Sequence, residues 1–466
     1  MIGNKNRWLW NYSLLGFLFL VVFSLVFPLE AAENQPAQTS GAQPAQSPVN
    51  SALPEQEKVS PPHPTNPSPS QSASEVIIGL NSPELGPYSK QGMEQMRGAE
   101  MAVEEINESG GILGKQIKML HRNSKSNPRI AKENAAELFE KEGAAMIFGG
   151  VSCAVSLALG KVAKLNEKLF FATTAYSTDL TTEEGHKYIF RESPDSRMAV
   201  KVLADHLKNN FSDKNYFYVT VDYNWGWTTE DIFRKYTETT EKHDHRGFLT
   251  KLGADDYKSV LNLAQELNTG VLVVILFGRD LEIALKQAQE MGLKNKMQIV
   301  VPVMTIDMAE GAGPEAMEGV LSTTPWYWKL PFEGKHEKGM AFVKKYDEKY
   351  KRYPSSAAAS AYVILHQYRE AVERAKTFDT LPVIKALEDY KYLGLKDEQQ
   401  WRGFDHQSLQ TIFAVRGKKA EEVKKDKYQA DYYEVINQMK GEEAAITKEE
   451  WEASRTAVSA APALEE

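Results

Sequence analysis

A single cysteine, Cys153, occurs in 466 residues. No intrachain disulfide can form, and zinc sites built from several thiolates are excluded. No block of Lys or Arg stands out, and the formal net charge is −8. Nucleic acid, which needs a basic surface, is therefore not an expected partner. H-E-x-x-H, P-loop, EF-hand and G-x-G-x-x-G patterns are missing, as is the G-x-S-x-G nucleophile elbow, so no cofactor or metal is implied. Catalysis is not expected: Cys153 would need a histidine, and the nearest in sequence is His186. Asp405 and His406 are read as strand neighbours pointing to opposite faces, which cannot pair as a triad does.

What is present begins with an address. Lys5 and Arg7 precede an apolar run from Leu14 to Phe27, which reads as an export signal over 1–32. Counted from Trp8 the run approaches the ~20 residues that span a bilayer, and Pro28 to Ala32 is not a clean cleavage site. Removal of the segment and its retention as an inner-membrane anchor both stay open. Residues 33–74 are rich in Pro, Ser, Gln and Ala, a composition that cannot offset its ordering entropy and reads as a disordered linker.

From Glu75 onward, strand-like and helix-like segments alternate. Apolar strands are expected at Val76–Leu80, Gln116–Leu120, Ala144–Phe148, Leu169–Ala172, Tyr216–Val221, Val271–Leu276 and Met297–Val301. Helices are expected between them, and strands separated by helices of this length imply parallel sheets covered on both faces. One such sheet closes after roughly 120 residues and the pattern then continues, so the fold class is α/β with two doubly wound lobes. The polar run Arg191 to Ser196 and the stretch Ser322 to Pro325 are candidate crossovers.

Within Glu75 to Gly111 a strand is followed by a loop with Gly86-Pro87, then by Arg97-Gly98-Ala99-Glu100 and by Ile106-Asn107 running into Gly110-Gly111-Ile112. These residues resemble the opening of the branched-chain amino acid-binding proteins, the periplasmic solute receptors of ABC importers. The resemblance continues to about Arg416, and Arg402 to Gln407 resembles a further recurrent segment of the family. It implies a type I periplasmic-binding-protein fold with three crossovers, the third near Thr380 to Pro382. Lobe 1 is then 75–194 and 325–380, lobe 2 is 195–324 and 381–440, and 441–466 is a flexible acidic tail. It also implies a small-molecule ligand (an amino acid, amide or related carboxylate), an ABC permease as partner, a periplasmic or cell-surface location, and a monomer. A membrane-anchored sensor with the same fold is the alternative.

The resemblance places ligand contacts at Gln91, at Ser152 and Cys153 after the third strand, and at Thr174, Ala175 and Tyr176 after the fourth. Glycines and a helix start at Gly149 to Ser156 suit a carboxylate, although Ser152 is equally suited to capping that helix. By the resemblance Trp225 would close over the ligand from lobe 2, and Phe277 corresponds to another aromatic of the cleft. Tyr176 stands where many relatives have a small residue. The position of the family's ammonium-binding acid falls on Val303. Either Asp307 or Asp195 then supplies the charge, or the ligand carries no ammonium, because a buried ammonium without a carboxylate is costly.

Overall fold

The computed structural model describes residues 75–241 and 243–464. The expected export segment and linker lie outside the described residues.

The first lobe opens with β1 (Glu75–Ser82), α1 (Ser89–Glu108), β2 (Gln116–Asn123), α2 (Pro128–Glu140), β3 (Met146–Gly149), α3 (Cys153–Leu165), β4 (Leu169–Ala172) and β5 (Ile189–Arg191). These strands form a parallel sheet in the order β2-β1-β3-β4-β5. The chain then passes through α4 (Ser196–Phe211), β6 (Tyr216–Val221), α5 (Asn224–Thr237), β7 (Arg246–Thr250), α6 (Lys258–Glu266), β8 (Val271–Ile275) and α7 (Arg279–Glu290). It continues with β9 (Gln298–Val301), α8 (Ile306–Ala312), α9 (Pro314–Met317) and β10 (Leu321–Thr324). Next come α10 (Leu330–Glu333), α11 (Glu337–Tyr350), α12 (Ser356–Ala375), α13 (Thr380–Leu387), β11 (Lys391–Leu393), β12 (Glu398–Trp401) and β13 (Ser408–Leu409). The last elements are β14 (Ile412–Gly417), α14 (Ala420–Val423), β15 (Tyr433–Met439), α15 (Gly441–Ala444) and α16 (Lys448–Ala457). The second sheet runs β15-β14-β10-β9-β8-β6-β7, parallel except at β14 and β15.

Composition explains the layering. β3, β4, β6 and β8 are buried along their whole length, as strands covered by helices on both faces must be. Several strands had no expectation attached to them, β5 and β7 among them. β5 is only three residues long. β7, Arg246–Thr250, is an exposed edge strand interrupted by Gly247, so it lacks the apolar run that marks its neighbours. α2 starts where local chemistry dictates: the Asn127 side chain accepts from the Arg129 and Ile130 amides, and Pro128 occupies the first turn.

The chain passes between lobes beside Glu192, beside Pro325, and between Gln407 and Thr411. The third passage is later than the expected Thr380–Pro382. That stretch begins α13, which packs on α12, while Trp401 of β12 packs edge-on against Phe171 and Phe190 of the first lobe, at 5.7 and 5.6 Å between ring centres. Arg191 pairs in parallel with Gln407, so the first and third passages run side by side. Asp405 ends a turn and His406 follows it, so neither lies in a strand. Asp405 pairs with Arg402, and the His406 ring stacks 3.9 Å from Phe190. The expected frayed tail is also corrected: α16 buries Trp451 and Arg455 against the first lobe. An acidic, Ala-rich composition concealed two anchoring side chains.

Candidate functional site

Parallel strands bring their carboxyl ends to one edge of each sheet, and ligands in such folds bind just beyond those ends. Here the two edges face each other. Past β3, Gly149 and Gly150 have φ of +126° and +76°, and a Cβ on either would strike the Asn81 carbonyl oxygen or the Ser156 hydroxyl at 2.3 Å. Only glycine permits this turn. It delivers Ser152 as the N-cap residue of α3 and Cys153 as its first residue.

The Ser152 side chain makes no capping hydrogen bond. The position is a cap, but its hydroxyl is not used as one. The Cys153 sulfur accepts from the Ser177 amide at 3.2 Å, and burial pushes the thiol up to about 11. Thr174 is engaged internally: its hydroxyl donates to the Gly150 carbonyl at 3.3 Å and accepts from the Gln95 amide at 3.1 Å. The Ala175 carbonyl accepts from the Ser193 hydroxyl at 3.1 Å.

Tyr176, Trp225 and Phe277 meet in one aromatic cluster. Phe277 lies 5.7 Å from Tyr176, 6.0 Å from Trp225 and 5.8 Å from Tyr88. Such separations suit edge and tilted aromatic contacts. Tyr88 comes from the loop between β1 and α1, and its hydroxyl meets that of Tyr223 across the lobes at 3.2 Å. Neither tyrosine was singled out from sequence. Their signal was present: each is an aromatic in a loop following a strand of a different lobe. Trp225 is 2% exposed, and its indole donates to the Ser196 hydroxyl at 3.1 Å.

The acids separate sharply. Asp195 caps α4 by accepting from the Met198 amide at 2.8 Å, and it faces the Arg191 guanidinium at 3.3 Å. Both of its carboxylate oxygens are thus engaged beside the first passage. Asp307, in the first turn of α8, accepts from the Gln91 side chain of the opposite lobe. Burial pushes its carboxyl from 3.8 up to about 6; the Glu94 charge adds to the rise, while Thr305 and Gln91 oppose it. Glu310 follows it on α8 and is pushed by burial to about 7, although Arg352 lies 2.6 Å away. Buried oxygens here without a hydrogen-bond partner include Gln91 Oε1, Asp307 Oδ1 and the Tyr176 hydroxyl, together with the Thr305 hydroxyl beside Asp307. Buried polar atoms are normally paired, so each is a place where a partner is missing. Val303 is buried and apolar, without a polar contribution of its own. At the rim, Lys90 reaches Glu282 at 2.7 Å, and Asn224 donates to Asp179 at 2.7 Å.

Residues 75–422 match the family model for periplasmic binding proteins, three quarters of the chain. The chain belongs to the periplasmic binding protein family. Among its relatives, a Leu/Ile/Val-binding protein homolog of Brucella melitensis is 25% identical over 340 residues, covering 68% of this chain and 84% of that protein. A periplasmic binding protein of Burkholderia mallei aligns with a TM-score of 0.74 at 25% identity, over 81% of this chain and 98% of the other. The branched-chain amino acid transporter substrate binding protein of Streptococcus pneumoniae, solved in complex with isoleucine, aligns with a TM-score of 0.65 at 19% identity, over 78% and 100%. The two-lobed periplasmic-binding-protein fold is thereby shown. Among the described residues no helix of this family member is long and apolar enough to cross a membrane.

Proposed function

We propose that this periplasmic binding protein is the solute receptor of an ABC-type importer and closes its two lobes around a small amino acid. The carrying observation is the convergence, from opposite lobes, of buried oxygens without partners on an aromatic cluster. Gln91 Oε1 and Asp307 Oδ1 can only accept hydrogen bonds when Asp307 is ionised, and the Tyr176 hydroxyl can also accept. Their complement is a donor-rich group such as an ammonium. The Gly150 amide is already given to the Asn81 carbonyl at 3.0 Å, but the amides of Val151, Ser152 and Cys153 at the start of α3 suit a carboxylate, and Tyr88, Tyr176, Trp225 and Phe277 offer an apolar wall. Ammonium, carboxylate and apolar body together describe an amino acid with a branched or aromatic side chain. The names of the Brucella relative and the Streptococcus structure point the same way.

Closure follows from where the contacts lie. Ligand seated on the first lobe gains the groups of Asp307 and Phe277 only when the second lobe swings in, so binding favours the closed state. The closed form would be the one presented to a membrane permease.

Thermal-shift screening with branched-chain and aromatic amino acids, their deaminated acids and their amides tests this reading. Saturation at ~100 times Kd should stabilise the fold by roughly 2.7 kcal/mol. Stabilisation by sugars with no response to any carboxylate or amide would sink it.

A further inference from the structure

We propose that the C-terminal segment from Lys440 to Ala463 is a strap that ties the two lobes together beside the hinge and limits their opening. It lies beyond residues 75–422, where the family match falls. The inference rests on hinge closure as the working motion of the protein.

The strap has an anchor on each lobe. It leaves the second sheet at β15, and α15 seats on α4, where Lys201 donates to the Glu443 carbonyl. A Cβ at Gly441 would stand 2.4 Å from the Gln410 amide nitrogen, so the strap presses closely on the third passage as it crosses. Arg402 then donates to the Ile446 carbonyl at 2.9 Å. Thr447 and Glu450 form a reciprocal capping box that starts α16.

Beyond that cap the chain grips the first lobe. Trp451 is 1% exposed, donates to the Thr181 carbonyl at 2.7 Å and lies 5.4 Å from the Phe404 ring. Arg455 donates to the Thr182 and Gly185 carbonyls at 2.6 and 2.9 Å, with its guanidinium 4.8 Å from the Trp451 ring. Thr181 to Gly185 lie between β4 and β5. The same loop carries Asp179, which bonds Asn224 of the second lobe.

Only residues 445–447 join the two anchoring helices. Fully extended, the four steps from Ala444 to Lys448 reach roughly 14 Å. A rotation that carries the Thr181 loop farther from α4 must release Trp451 and Arg455, or unseat α15. Charge-assisted bonds from a buried guanidinium resist the first course. The segment therefore opposes wide opening and biases the unliganded protein towards closure.

Spin labels at Lys132→Cys on α2 and Lys235→Cys on α5, both exposed positions of different lobes, report the separation directly. The unliganded protein is compared with Trp451→Ala/Arg455→Ala and with Arg455→Gln, which keeps the tryptophan. Both variants should show longer and broader interlobe distances. Their affinity for L-leucine should fall by about threefold to tenfold, as the closed fraction falls. Unchanged distances in folded variants would overturn the strap, and so would unfolding of Arg455→Gln, which would make the segment plain core. If the variants open but L-leucine and the other amino acids bind no form, the strap stands and the receptor reading fails. If ligand closes every form and the unliganded distances are the same in wild type and variants, the receptor reading stands and the strap fails.

Discussion

The Phe277 ring on the second lobe lies 5.7 Å from the Tyr176 ring on the first, and the tyrosine hydroxyl beyond it is buried without a partner. On the proposed reading, this aromatic contact gives closure an apolar element, and the unpaired hydroxyl is the polar group that ligand would meet. Tyr176→Phe should therefore leave the unliganded protein as stable or slightly more so, because an unpaired buried hydroxyl costs about 1–3 kcal/mol. Affinity for the physiological ligand should fall about tenfold if that hydroxyl meets it. Denaturant unfolding and calorimetric titration separate the two effects, and equal affinity in both proteins would remove Tyr176 from the polar half of the site.

Trp225 carries a different expectation. Its burial and its bond to Ser196 place it inside the second lobe as much as over the cleft. Trp225→Ala should lower unliganded stability by roughly 3–5 kcal/mol, the cost of emptying a packed aromatic site. Trp225→Phe should cost about 1 kcal/mol through the lost indole bond. An alanine variant with wild-type melting and poor affinity would mean that the ring works mainly as a lid.

Ser152→Ala distinguishes carboxylate binding from capping. A capping hydroxyl contributes about 1 kcal/mol to helix stability, yet this one makes no capping bond. The melting temperature should hardly change, while affinity for a carboxylate should drop by roughly 1–3 kcal/mol relative to its amide. Loss of stability with unchanged preference would assign Ser152 to the helix alone.

The pH dependence of binding follows from Asp307 and Glu310. Both acids are pushed up by burial, to about 6 and about 7. The closed, unliganded state thus holds protons that a solvated carboxyl would lose near pH 4. Stability contributed by their protonated forms is present at low pH and is lost as pH rises from about 4 to about 7. Ammonium binding runs the other way, because it requires ionised Asp307. Affinity for an amino acid should rise with pH up to about 6, by at most about a decade per unit, and then level off. Asp307→Asn should weaken binding and flatten that profile. A flat profile in the wild-type protein would show that no ammonium meets Asp307.

Much of the fold was legible residue by residue. Leu169–Ala172 and Tyr216–Val221 form strands with the expected bounds, because an unbroken apolar run flanked by turn formers has few alternatives. β7 escaped notice because an edge strand needs no apolar run, and the third passage was misplaced because α13 looks locally like any short connecting helix. Of the site, the strand ends could be read, since loops after parallel strands must converge. The pairing of Gln91 with Asp307 could not be read, because 216 residues separate them and nothing local fixes how two lobes meet.

The sequence by itself determined the alternation of strand and helix, the glycines and helix start that follow the third strand, and the exclusion of an intrachain disulfide and of zinc sites built from several thiolates. These follow from periodicity, backbone sterics and composition, which act over a few residues. Tertiary structure alone decided that Asp195 is committed to Arg191 while Asp307 keeps an oxygen free, since both are acids near helix starts and differ only in their distant neighbours. It also decided that Trp451 and Arg455 hold a chain end that composition marked as loose. Burial of two side chains outweighs the acidic character of the residues around them.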